Sequence, residues 1–340
     1  MSGRVAVVGA GSWGTAMAAL VSTNDNAVLW VREPELARTI AKEHENPTYL
    51  PGVKLPDALQ VTSELEEACR GADAVLLVVP SHGMRQVVTD AAEFISPAVP
   101  VLSLAKGVEQ GTLRRMTEVI GEVLATHLSE RIGVLTGPNL AREVAAGQPA
   151  ASVVAMRDDA AAHDMQRLTM TSTFRVYTNP DVVGCEIAGA LKNVMAIAAG
   201  IADGLGYGDN TKAALITRGL AELTRLGVAL GGNPLTFSGL AGMGDLVATC
   251  TSTQSRNRTV GVELGKGRKI DDIVADMKMV AEGVKSTAAV LELADRHRVE
   301  MPIAEQVGAV LYGGKRAEDL VTALMLREAK AELHGISQRP

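Results

Sequence analysis

The chain has 340 residues, 47% hydrophobic, 21% charged and only 3% aromatic. That length suits two domains rather than one core, and that composition excludes extensive disorder and leaves the interior to Ala, Val, Leu, Ile and Met. A net charge of −6 argues against nucleic acid as the main partner, because a phosphate backbone calls for a basic surface.

Short apolar runs alternate with amphipathic stretches of helical length through the first half. The run RVAVV at 4–8 predicts a strand, and GAGSWG at 9–14 a turn that opens a helix from about Ser12. A second strand is predicted over 27–31, then a helix from Pro34 that carries Glu35, Arg38 and Lys42. The loop NPTYLPG at 46–52 is punctuated by Pro47 and Pro51. Further apolar runs lie at 74–79, 99–104 and 132–135, with a helix-length stretch over 113–128. Strands alternating with helices predict a parallel sheet with helices on both faces. The pattern changes after Asn179-Pro180: from Val182 onward the stretches, such as 213–230 and 286–297, are helix-compatible with almost no strand signal.

No membrane span is expected, since apolar runs such as 74–79 fall well short of the ~20 residues such a helix needs. No signal peptide is expected, because the N-terminus enters a strand pattern directly. Cys69, Cys185 and Cys250 lie far apart and give neither a metal-ligand spacing nor a disulfide framework. The six histidines form no pair at ligand spacing, so no metal site is expected. These features predict a cytoplasmic protein with reduced thiols.

GAGSWG has the strand–turn–helix setting that a dinucleotide-binding turn requires. Gly9 allows the tight turn, Gly11 lets the backbone approach a pyrophosphate, and Gly14 lets the helix pack close to the strand. The helix N-terminus adds free N–H groups and positive potential. Ser12 and Trp13 in the turn and Tyr49 in the 46–52 loop join them as candidate cofactor contacts. The second strand ends in WVRE at 30–33. Arg32 could pair with the 2′-phosphate of NADP, while Glu33 keeps NAD open. NADP is favoured, with NAD tolerated. The fold expected is a Rossmann-type α/β domain with a parallel sheet over residues 1–180, followed by an all-α substrate-binding and catalytic domain over 181–340.

The segment GALKNVMAIAAGIADGLGYGDN at 189–210 resembles the signature of NAD(P)-dependent glycerol-3-phosphate dehydrogenase, bacterial type. Other pieces follow in that family's order: GAGSWG with Thr15, NPTYLPG, LAKG at 104–107, Gly137-Pro138, GMGDL at 242–246, SRN at 255–257 and Glu282-Gly283. The resemblance covers nearly the whole chain. One departure is Asn139, where the family commonly has Ser or Thr after Gly-Pro.

The resemblance implies reversible reduction of dihydroxyacetone phosphate to sn-glycerol 3-phosphate, feeding glycerophospholipid synthesis. It also implies a homodimer and an active site between the two domains. Lys192 is the candidate proton donor and acceptor. A free lysine, with pKa about 10.4, would need burial or a neighbouring cation to work near neutral pH, and Lys106 is the candidate neighbour. By resemblance Lys106 contacts substrate and cofactor, Gly137 and Asn139 lie at the substrate, and Ala141 lies near the cofactor. Asp245 would bind a substrate hydroxyl. Ser255, Arg256 and Asn257 would anchor the phosphate, with Arg256 also reaching the cofactor. Val280 and Glu282 match positions on the nicotinamide side, and Asn193 and Thr249 are candidate supporting residues. Two readings compete: a dehydrogenase of β-hydroxyacids, and a non-catalytic NAD(P)-binding regulator.

Overall fold

Strand β1 (Arg4–Val8) is buried almost throughout, which its run of Val and Ala permits on both sides of a sheet. Its odd residues, Val5 and Val7, enter one apolar layer, and Ala6 and Val8 enter the other. That split follows from the two-residue period of a strand. The computed structural model describes residues 3–277 and 281–329. The remaining strands are β2 (Asn26–Trp30), β3 (Gln60–Thr62), β4 (Ala74–Leu77), β5 (Val101–Ser103), β6 (Ile132–Thr136), β7 (Ala150–Ala155) and β8 (Phe174–Asn179). They form one sheet in the order β3-β2-β1-β4-β5-β6-β7-β8. The chain moves outward from β1 through β2 and β3, then returns to β4 on the other side of β1. In open α/β sheets, ligands bind beyond the carboxyl ends of the strands at such a reversal. GAGSWG leaves β1 at that place.

The expected parallel sheet is present, with one antiparallel pair in it. β6 and β7 pair antiparallel, whereas β7 and β8 pair parallel. The connection from β6 to β7 contains only the five-residue helix Ala141–Ala145, so it does not build the long crossover that a parallel neighbour requires. The next connection carries the eleven-residue helix Asp159–Thr169, capped by the Asp158 carboxylate on Ala161 N–H at 3.0 Å, and brings β8 back parallel. The strands β3, β7 and β8 have no counterpart among the expected ones.

The chain divides into two compact units: Met1–Lys106 with Arg114–Val182, and Gly107–Leu113 with Val183–Pro340. Among the described residues the second unit contains helices and no strand. Its central element, the helix Val182–Gly204, is long and apolar enough by length and composition to cross a membrane. It is instead a core helix, with 94% of its apolar stretch buried. Ile187, Leu191, Val194 and Ile197 on it pack in one cluster with residues such as Leu223, Leu246, Val260 and Val290.

A buried carboxyl fixes two helices of this unit together. Glu222, on the helix Asp209–Ala229, is 1% exposed and accepts from Ile303 N–H at 2.8 Å and Ala304 N–H at 3.3 Å. Those amides open the helix Pro302–Tyr312, where no intrahelical acceptor exists for them. Burial pushes the Glu222 pKa up from 4.5 to about 7; the two amides and Arg225 oppose the rise, and Glu305 adds to it. The folded protein therefore holds this proton over a range in which the unfolded chain has lost it. The associated stability is present below pH 4.5 and is lost as pH climbs to about 7, a change on the order of 3 kcal/mol. Glu222→Gln should flatten this part of the profile. Thermal unfolding at pH 5 and pH 8 checks it, and an equal fall in Tm for both proteins would contradict the assignment.

Candidate active site

In the first unit the glycine turn follows β1 directly. Gly9 has φ +116°, and a Cβ there would lie 2.7 Å from Val78 O. A Cβ on Gly14 would overlap the Gly9 carbonyl oxygen. A Cβ on Gly11 would meet nothing within 4 Å. The protein's own packing thus demands glycine at Gly9 and Gly14, while at Gly11 the space it leaves is open. The helix Ser12–Val21 starts beyond Gly11 with no side-chain cap. Open space beside an uncapped helix N-terminus fits a dinucleotide pyrophosphate.

The neighbouring candidates take distinct places. Ser12 Oγ donates to Tyr49 O at 2.5 Å, so the 46–52 loop lies against the turn. The Trp13 indole packs inward, with its ring centroid 6.3 Å from that of Phe174. Arg32, just beyond β2, has a largely exposed side chain and pairs with Glu33 at 2.9 Å. Lys106 Nζ donates to Gly137 O at 2.9 Å. Gly137 has φ +136° and backs onto Ser152 Cα, with 3.1 Å left for a Cβ. Asn139 donates through Nδ2 to Ser152 Oγ at 3.1 Å, and Ser152 Oγ donates to Thr136 O at 2.7 Å. Asn139 therefore reaches the same strand-end cluster as Gly137. Ala141 opens the short helix Ala141–Ala145.

The second unit holds the titratable centre. Lys192 is 6% exposed, and its Nζ donates to Asp245 Oδ1 and to Thr249 Oγ1, each at 2.5 Å. Thr249 Oγ1 in turn donates to Asp245 O at 2.6 Å. One helical turn separates Asp245 from Thr249 on the helix Asp245–Thr251, so both face Lys192. A single turn of π-helix, Leu240–Gly244, precedes that helix and lies against Phe237, where a Cβ on Gly242 would overlap the Phe237 carbonyl. Within this unit a carboxylate, Asp245, is a charged partner of Lys192. The adjacent Cys250 is fully buried, and its thiol is pushed up to about 12 chiefly by burial, so it serves packing rather than nucleophilic chemistry.

Ser255 caps the helix Arg256–Gly265 by accepting from Arg258 N–H at 3.3 Å, and Arg256, the first residue of that helix, is exposed. Asn257 points inward. Its Nδ2 donates to Asn193 Oδ1 at 2.9 Å, and its Oδ1 accepts from Gly283 N–H at 2.9 Å. Glu282 begins the helix Glu282–Arg296. Val280 lies outside the described residues.

The helix Arg256–Gly265 meets the Lys192 helix, Val182–Gly204, backbone to backbone. Cβ atoms on Gly200 or Gly204 would overlap carbonyl oxygens of Arg258 and Val262, and one on Gly261 would overlap that of Ile197. Beside the crossing, Asp203 accepts from Arg258 Nε at 2.7 Å and pairs with Lys212 at 2.7 Å. Asp203 is not among the expected site residues; the GxxxG spacings at 200–204 and 261–265 are the readable trace of the crossing.

Residues 4–162 match the model of the NAD-dependent glycerol-3-phosphate dehydrogenase N-terminus, and residues 181–322 that of its C-terminus. The chain belongs to the NAD-dependent glycerol-3-phosphate dehydrogenase family. It is 55% identical to glycerol-3-phosphate dehydrogenase [NAD(P)+] 2 of Sphingopyxis alaskensis, over 97% of this chain and 98% of that one. It is 52% identical to glycerol-3-phosphate dehydrogenase [NAD(P)+] of Streptomyces griseus, with the same coverage. The crystal structure of glycerol-3-phosphate dehydrogenase from Coxiella burnetii superposes with a TM-score of 0.91 at 37% identity, over 96% of this chain and 99% of that one. Within such a family the helix crossing has a checkable consequence. Gly261→Ala should lower stability by about 1–3 kcal/mol, the usual effect of overpacking, and should lower kcat by shifting Asn257 against Asn193. Thermal unfolding and steady-state kinetics read both, and an unchanged Tm would mean that the crossing has room to spare.

Proposed function

We propose that this chain catalyses the NAD(P)H-dependent, reversible reduction of dihydroxyacetone phosphate to sn-glycerol 3-phosphate, supplying glycerophospholipid synthesis. The observation that carries the reading is the buried Lys192 ammonium, held by Asp245 and Thr249 in a chain of this family. In this reading the first unit binds the dinucleotide through Gly9, Gly11, Ser12, Gly14, Arg32, Tyr49 and Ala141. The second unit supplies Lys192, Asp245 and the phosphate anchor of Ser255, Arg256 and Asn257. The same reading has the enzyme working in the cytoplasm as a homodimer.

When bound, the nicotinamide supplies a hydride to the carbonyl carbon. The chain's own residues do the rest. Lys192 gives a proton to the carbonyl oxygen in reduction and takes it back in oxidation. Asp245 and Thr249 hold the ammonium in one orientation, which is how a positioned acid–base group contributes. Arg256, charged and exposed at a helix start, is suited to a dianionic phosphate. Arg32 is suited to the 2′-phosphate of NADPH, and Glu33 to the free 2′-hydroxyl of NADH.

Oxidation of NADPH followed at 340 nm, with and without dihydroxyacetone phosphate and repeated with NADH, tests the reading. Substrate-dependent turnover with both cofactors, faster with NADPH, is expected. Rapid turnover of a non-phosphorylated hydroxyacid in its place would overturn the substrate assignment. Lys192→Ala should lose roughly 10²–10⁴-fold in kcat while still binding NADPH. A kcat equal to that of the parent would remove Lys192 from this role.

A further inference from the structure

Asn46 is 0% exposed, yet it lies in a loop whose neighbours Pro47 and Thr48 are exposed. A buried loop amide must be matched at both ends. Here it is. Nδ2 donates to Ala10 O at 2.9 Å and to Thr15 Oγ1 at 2.8 Å, and Oδ1 accepts from Tyr49 N–H at 3.0 Å. Thr15, also 0% exposed, donates its own proton to Ala10 O at 3.2 Å. The amide orientation is therefore forced. A carbonyl can only accept, so Nδ2 faces Ala10; an N–H can only donate, so Oδ1 faces Tyr49.

The backbone groups tied by this carboxamide belong to the two segments that carry the candidate cofactor contacts. Ala10 lies between Gly9 and Gly11. Tyr49 closes the turn Asn46–Leu50, and its carbonyl receives the Ser12 hydroxyl at 2.5 Å. All of these residues belong to the first unit. We propose that Asn46 is a positioning residue for the dinucleotide: a buried carboxamide that clamps the 46–50 turn onto the glycine turn, and so fixes Ser12, Tyr49 and the helix N-terminus for the pyrophosphate. The inference rests on the reading of GAGSWG as the pyrophosphate site. Asn46 itself does not touch the cofactor. It sets the backbone that does.

The test is binding measured by calorimetry on folded protein, without turnover. Two ligands are compared: NADPH, and adenosine 2′-monophosphate, which has the nucleoside and 2′-phosphate but no pyrophosphate. Asn46→Ala should weaken NADPH by roughly tenfold or more, the worth of one or two net hydrogen bonds, and leave the fragment within about twofold. A purely structural residue would lower Tm and leave both affinities of the folded protein unchanged, and that result would overturn the proposal. Because Asn46→Ala leaves buried partners unmatched and could fail to fold, Thr15 gives a second route. Thr15→Val keeps the shape and removes the hydroxyl that the amide meets, so it should weaken NADPH selectively. Thr15→Ser keeps the hydroxyl and should restore parental affinity. Equal NADPH affinity for Thr15→Val and Thr15→Ser would overturn the clamp. Failure of the parent protein to bind NADPH at all would instead strike the pyrophosphate reading on which the clamp depends.

Discussion

Two helices of the second unit touch at glycine, and the candidate catalytic groups are placed by that contact. Gly200 and Gly204 meet Gly261 and Gly265 so closely that no side chain fits between the backbones. Lys192 and Asn193 lie on the same helix about two turns before Gly200, and Asn257 lies about one turn before Gly261. A change in interhelical distance would therefore be carried directly to the Asn193–Asn257 hydrogen bond. Asp203, bonded to Arg258 and Lys212, ties the far end of the crossing with charge. Packing this tight has few relaxed alternatives, which suits groups that must be held to within a fraction of an ångström.

The Lys192–Asp245 pair sits in the interior that this packing creates. Buried ion pairs are poor stabilisers, because desolvation offsets most of their attraction and an apolar pair of similar volume often does as well. Folding alone gives no reason to keep an ammonium and a carboxylate where leucines would serve. In the proposed reaction the pair has a use, since an acid–base group works best when it is held in one orientation and shielded from bulk water. The neighbouring Cys250 shows the contrast: the same burial holds its thiol protonated and leaves it as filler.

Legibility in the sequence followed the range of the interactions. The turn GAGSWG was readable because strand, turn and helix follow one another within a few residues. Lys192 stood out through the signature at 189–210, in a helix whose other charged residues are Glu186 and Asp203. The Asp245 partnership was not readable, because 53 residues separate it from Lys192. The Asn46 clamp spans 36 residues and hides in a loop that composition marks only as polar and proline-rich. Among the strands, β3 is three residues long and β7 is an alanine-rich run without period, so neither announces itself. β8 does alternate, with Phe174 and Val176 inward and Arg175 and Tyr177 outward, because only one of its faces is covered. The reversal at β7 left no trace in any single residue; it follows from how little helix the preceding connection contains.

The strand order also decides how the sheet ends. An open sheet presents unpaired backbone groups at its borders and invites strands from other molecules to add on. One border here is β3, which offers only three residues. The other is β8, whose outward side carries Arg175 lying over the ring of Tyr177 at 5.7 Å. An incoming strand would thus find only three residues at β3, and at β8 a strand with charge and an aromatic ring on its exposed face.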